Sequence, residues 1–387
     1  MIGTLSALAL ASGTPGQVAR WEMPPEIYAA IDEAGESPDL ATLRALLARI
    51  DAEAERCERI EADKTVCEEA FNLSAALSGE ALLDAEQVGA RYERAIAVAE
   101  ARHGLIAETP LHLHRTYGLY LARIGRAQAA EDRLRLVVER SAGLDAMTEM
   151  SALGHLAVLM LGLGRLDEAE AYLAPVLAFI ADGEWRQNPF AISVRSTEAA
   201  LAAARGDHDE AASLYADTCV AMYRTMGETW GVATCSLAWG QSLIEIGDLE
   251  RAEGVLRIAT DAHDKLMGPE HANSLLARAQ AARVLSLRGK EAEADELFAR
   301  NRALLASAPQ SFPAELRTLL YRLDAAPLVR EQRALPLARS LLMAAQQAAL
   351  EAMAMTGAAD ALARRSLESA RPAFLLRVEA SWRLANR

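Results

Sequence analysis

The sequence predicts an all-α protein built from antiparallel helical hairpins repeated along the chain, and three observations point there. Five glycines, Gly125, Gly164, Gly206, Gly247 and Gly289, recur at intervals of 39, 42, 41 and 42 residues, which is the signature of a repeat array. Ala and Leu dominate a composition that is 52% hydrophobic but only 5% aromatic, a diet that suits helices and starves strands. Finally, 387 residues is long for one compact core, yet no Gly-, Ser- or Pro-rich linker divides the chain.

The residues around the glycines define the hairpin. Five positions after each stands an alanine: Ala130, Ala169, Ala211, Ala252 and Ala294. Nine after stands a bulky apolar residue: Leu134, Leu173, Tyr215, Leu256 and Phe298. Seven before stands a small one: Gly118, Ala157, Ala199, Gly240 and Ala282. The glycine ends helix A in a left-handed turn, the alanine lets helix B cross closely, and the bulky side chain fills the gap one turn further on.

This column order resembles the tetratricopeptide repeat, most clearly in Gly164-Arg165-Leu166-Asp167-Glu168-Ala169 and Gly247-Asp248-Leu249-Glu250-Arg251-Ala252. The period near 42, with Met267-Gly268-Pro269-Glu270-His271 between units, looks like the longer variety of kinesin light chains and many bacterial proteins. The resemblance covers about Leu105 to Leu305 and implies a right-handed α-solenoid with atypical helical ends. Residues 105–308 are expected to hold five repeats, 25–104 an N-terminal helical capping region, and 309–387 a C-terminal one. In the first cap, Pro25 to Ala34, Leu40 to Arg59 and Thr65 to Leu77 have helical spacing, and Tyr92, Ala95, Ile96 and Val98, closed by His103-Gly104, read as helix B of a degenerate unit. The second should be helical too, with Pro336 starting a helix and interruptions around Gly357 and at Pro372. Terminal units must cover the open faces of a solenoid, so departures from the motif belong there.

A net charge of −14 repels phosphate backbones and anionic lipid, which speaks against nucleic acid as a partner. No run reaches the ~18 uninterrupted apolar residues of a membrane span; the nearest, Leu337 to Met355, is broken by Arg339, Gln346, Gln347 and Glu351. Residues 1–24 are either a plain flexible terminus or the remnant of an export signal: Ala9-Leu10-Ala11 fits a cleavage site, but the first positive side chain is Arg20. The phosphate-loop, nucleophile-elbow and His-Glu-x-x-His patterns are missing. His112 and His114 lie two apart, a spacing that sends them to opposite sides of a helix, and Asp207, Asp209 and Glu210 sit where helix B begins and caps its amides. No enzyme activity, metal or cofactor is expected.

All four cysteines fall in symmetric pairs. Cys57 and Cys67 flank a turn near Ala62, and Cys219 and Cys235 flank Gly227, at equal offsets that put each pair at one height on neighbouring helices. Such a placement suits either buried thiols or two disulfides. Disulfides would favour a periplasmic or exported location over the cytoplasm.

The resemblance also implies where a partner binds. Residues thirteen, ten, six, three and two positions before the signature glycine line the concave face. Carried over, these columns give His112, Arg115, Leu119 and Arg123; Ser151, Val158 and Leu161; Ser193 and Ser196; Thr234, Leu237, Gln241, Ile244 and Glu245; and Leu276, Arg283 and Leu287. Arg115 and Arg123, eight apart, should project to one side and meet an acidic ligand, unless Glu108, Glu131 or Asp132 neutralise them. The asparagine that grips a peptide backbone nine positions before the glycine in kinesin-light-chain arrays is replaced by Thr116, His155, Thr197, Ala238 and Gln280, and the Lys/Asn carboxylate clamp of chaperone-binding members is missing. The expected function is a non-catalytic scaffold for a protein or peptide. The alternative is a regulatory or sensor subunit for a separate protease, kinase or secretion component, since Arg371 to Leu376 with Trp382 resembles the stretch preceding caspase-like domains in some bacterial repeat proteins.

Overall fold

The computed structural model describes residues 21–34, 39–81, 83–181, 185, 188–356 and 361–385. The expected export-signal feature at Ala9 to Ala11 therefore lies outside the described residues. Among the described residues the chain forms helices and turns and no strand. The helices group into two compact units, one ending at Leu159 and the other beginning at Met160.

The first unit begins with α1 (Pro25–Ala34), α2 (Leu40–Ile60), α3 (Glu68–Ser78) and α4 (Ala85–His103), with a short 3-10 turn, Lys64–Cys67, before α3. Asp39 and Asp84 cap α2 and α4 by accepting from the amides of Thr42, and of Glu86 and Gln87. One core runs from Trp21 and Met23 through Ile50 and Phe71 to Tyr92 and Ala95, and continues into α5 (Glu108–Arg123) through Leu113, Tyr117 and Tyr120. Tyr92 stacks on Tyr117 with ring centroids 4.9 Å apart. The hairpin α5–α6 (Ala127–Ser141) is the first that carries the full motif, and α7 (Ala146–Leu163) follows it.

Through the turn at Gly164 α7 leads into α8 (Leu166–Phe179), and the remaining hairpins are α9 (Pro189–Arg205) with α10 (His208–Met226), α11 (Trp230–Glu245) with α12 (Leu249–Met267), and α13 (Ala272–Leu287) with α14 (Glu291–Ser307). All five signature alanines are buried, with at most 1% of their surface exposed. All five signature glycines have φ between +72° and +90°. At each, the next residue's amide donates to a carbonyl five residues back at 2.9–3.0 Å, as in Arg126 to Leu121 and Asp248 to Leu243, which closes the helix with the turn that only a left-handed residue permits.

The same turn occurs a sixth time where the sequence shows no glycine. Helices α15 (Ala314–Arg330) and α16 (Leu335–Thr356) are joined through Gln332, whose φ is +54°, and the Arg333 amide donates to the Leu328 carbonyl at 3.0 Å. Ala325 and Leu341, seven before and nine after Gln332, are both buried. The turn and two of its packing columns therefore recur past residue 308, while the alanine column holds the exposed Leu337. An ion pair and a hydrogen bond hold this turn: Arg333 binds Asp295 at 2.6 Å, and Arg330 donates to the Ser286 hydroxyl at 2.7 Å.

One further expectation is corrected. Pro372 does not interrupt the last helix, because α17 (Ala361–Ala385) runs through it. Buried Ala373 and Ala380 pack with Leu341, Leu342 and Ala345 of α16, and this packing holds the helix despite the missing amide. Leu337 to Met355 lies within α16, and among the described residues α7, with mean hydropathy 1.4, is the helix long and apolar enough to cross a membrane. Its Ala152 is buried in a cluster with Leu111 of α5 and Val137 of α6, the place of a hairpin helix.

Candidate functional site

In the first unit the α5 columns divide. Arg123 is neutralised: it pairs with Glu80 at 2.9 Å, donates to the Gly79 carbonyl at 3.1 Å, and lies over the Tyr120 ring. Arg115 turns the other way, toward α7. Its guanidinium donates to the Ser151 hydroxyl at 2.6 Å and to His112 Nδ1 at 3.0 Å. Of the acids expected to neutralise it, Glu131 pairs with Arg135, Asp132 accepts from Gln128, and Glu108 acts on His112. Burial lowers the Arg115 pKa, and no carboxylate contributes to offset it. The two arginines thus do not form one paired site.

His155, one turn beyond Ser151 on α7, completes the cluster. Its Nδ1 is enclosed without a hydrogen-bond partner. Burial first, and then the Arg115 charge, push its pKa down to about 4 against a smaller opposing effect of the Ser151 carbonyl. The His112 pKa is lowered by the same two causes, with Glu108 opposing. Both rings are therefore neutral at neutral pH, and Arg115 is the positive charge of the cluster, with the Glu108 carboxylate acting on His112. Leu119 and Val158, both in groove columns, are 37% and 51% exposed.

In the second unit α11, α13 and α15 pack side by side as successive A helices. Arg283 pairs with Glu245 at 2.8 Å across α13 and α11. Thr234 has a buried hydroxyl without a partner, Gln241 is half-buried, and Leu287 is 37% exposed. Leu237 and Ile244 are buried in the core, which removes them from the expected lining.

Elsewhere most charged groups are paired, although buried His263 has neither ring nitrogen hydrogen-bonded. A cavity of about 320 Å³ lined by Asp51, Phe71, Ser74, Arg91 and Arg94 has its charges paired, Arg91 with Asp51 at 2.7 Å and Arg94 with Glu58. His114 is buried among Glu100, Arg133 and Arg140. Among the described residues no three His, Cys, Asp or Glu side chains converge in a way that could hold a metal ion. Cys57 is joined to Cys67 and Cys219 to Cys235, with Cα atoms 5.8 and 5.6 Å apart.

No protein-family model matches the chain, and no curated protein matches it. Solved structures do. A Rap protein complexed with Competence and Sporulation Factor superposes with a TM-score of 0.53 and 12% identity over 94% of this chain and 99% of its own. The Rap conjugation gene regulator of plasmid pLS20, in complex with the Phr* peptide, gives 0.51 and 12% over 89% and 97%. A signal-transduction ATPase with a tetratricopeptide repeat sensor from Pyrococcus horikoshii gives 0.51 and 11% over 92% of this chain and 53% of its own. The fold is that of the tetratricopeptide repeat.

The tetratricopeptide register also shows what the sequence reading missed. Counting back from Gln332 puts Arg322 ten positions before the turn, the column of Arg115 counted from Gly125. Arg322 is half-buried, and its pKa is lowered by burial and by the neighbouring Arg283, with Glu245 opposing. With no glycine at 332 to align on, this column could not be found from the repeat pattern. The left-handed Gln332 was the signal, and it is visible only in the structure.

Proposed function

We propose that this chain is a non-catalytic scaffold that binds a peptide or protein segment on the A helices of its individual units. The observation that carries this is that apolar Leu119, Val158 and Leu287 remain exposed in the A-helix columns. Exposed apolar side chains beside half-buried arginines suit a partner that offers both apolar and acidic groups. Two structures with the same fold are described with a bound peptide or factor, which agrees with this use. We further propose that the helices before α5 and α17 close the ends of the array.

A second reading, a regulatory or sensor subunit of a larger system, is favoured by α17, where Leu375, Val378 and Trp382 are 60%, 69% and 66% exposed. The test is selection from a random peptide library on the immobilised full chain, followed by photo-crosslinking of the selected peptides. Crosslinks at Leu119, Val158 or Leu287 are expected. Selection without an enriched sequence, or crosslinks confined to the B helices, would overturn the scaffold reading.

A further inference from the structure

We propose that Arg115, with Ser151, His112 and His155, forms a carboxylate-binding subsite between α5 and α7. This rests on the scaffold reading and gives its ligand a chemistry. An arginine is rarely withdrawn from water without a counter-ion, because the desolvation of its charge is then uncompensated. Arg115 is half-buried, and its partners are a hydroxyl and a neutral imidazole, neither of which carries charge. On a chain of net charge −14, with acids pairing most of the other arginines, this lack of a counter-ion is a specific local feature.

The donors left over are arranged for an anion. Five N–H groups radiate from a guanidinium in a plane, and the two bonds to Ser151 and His112 use two of them. Ser151 accepts from Arg115, which leaves its own O–H to donate. His112 accepts at Nδ1, so its neutral ring carries the proton on Nε2. His155 Nδ1 is enclosed next to the Ser151 carbonyl, so this ring lines the subsite and reports on it without adding a free donor. There is room beside them: the α7 residue in the Arg115 column is Gly154, where an added Cβ would meet nothing within 4 Å.

The charge balance selects the ligand. Both imidazoles are neutral and Glu108, which acts on His112, does not pair with Arg115, so the guanidinium offers one uncompensated positive charge and matches one negative charge. A planar monoanion that accepts a fork of two N–H groups is a carboxylate, whereas a phosphate dianion would remain half-compensated. The carboxylate comes either from an acidic side chain or from the end of a peptide.

The experiment uses the full chain with carbon-13-labelled histidine rings, at pH 7.5 and constant ionic strength. It is titrated separately with butyrate for a side-chain carboxylate, N-acetylglycinate for a chain terminus, inorganic phosphate, and chloride. Signals of His112 and His155, assigned from His112→Gln and His155→Gln, should move saturably with the carboxylates in the millimolar range, while that of His208 stays still. Stronger movement with N-acetylglycinate would assign a peptide end, and stronger movement with butyrate an acidic side chain. Arg115→Gln should weaken the response about tenfold or more. Should Arg115→Gln fail to fold, Ser151→Ala should weaken the same response. No saturable movement, an equal response in the variants, or phosphate binding as tightly as carboxylate would overturn the proposal. Because no peptide is involved, subsite and scaffold fail separately: histidine movement without peptide selection would retire the scaffold reading, and selection without movement would retire the subsite.

Discussion

A Cβ added to Gly240 of α11 would fall inside the van der Waals envelope of Leu256 Cγ on α12. The small residue seven before the signature glycine and the bulky one nine after it are therefore the two sides of one contact. In the first motif hairpin the corresponding added Cβ on Gly118 would stand 3.1 Å from Leu134 Cγ.

Gly240→Ala should accordingly destabilise the protein by about 1–3 kcal/mol through overpacking. Gly254, on the same hairpin, has open space around it, so Gly254→Ala should stabilise by roughly 0.5–1 kcal/mol through helix propensity alone. Urea unfolding of the two variants reads both signs. A neutral Gly240→Ala would mean that the hairpin crossing is looser than described.

The Gln332 turn supplies a second stability test. A left-handed conformation costs a residue with a Cβ about 1–2 kcal/mol, and glycine is largely spared that cost. Gln332→Gly should therefore raise the thermal midpoint, with a gain of about 1 kcal/mol. A loss would show that the Gln332 side chain contributes more to this turn than its backbone strain removes.

His155 gives the stability a pH dependence. Its folded pKa of about 4 lies below the ordinary value of 6.5, so the folded protein favours the neutral ring. The resulting stabilisation is fully present above pH 6.5 and declines as pH falls toward 4, because the unfolded chain takes up the proton first. Its size is up to about 3 kcal/mol at the one-unit exchange rate. Unfolding free energies of the wild type and His155→Gln should converge across that window. Parallel curves would show that the ring is not desolvated as described.

The cysteine pairs make a chemical prediction. Non-reducing peptide maps should contain Cys57–Cys67 and Cys219–Cys235 and no free thiol. Reduction should then lower stability, by about 3 kcal/mol for the second pair on the chain-entropy picture, with its separation of 16 residues. Four alkylatable thiols in freshly isolated protein would remove both the links and the argument for an oxidising compartment.

By itself the sequence determined the hairpins and their turns. Left-handed glycine, close-crossing alanine and gap-filling leucine act within about fifteen residues, and local spacing records them directly, as at Gly125, Ala130 and Leu134. It also placed Cys219 and Cys235 at matching heights, since their offsets from Gly227 depend only on helix rise. The tertiary structure decided what spacing does not encode. Gln332 adopts the glycine's role because Arg330 and Arg333 anchor it to α13 and α14, and those contacts come from about 40 residues away. Arg115 and Arg123 share a helix and were expected to share a ligand. Yet Glu80 claims one while Ser151 receives the other, because a long side chain answers to whichever neighbouring helix offers a partner.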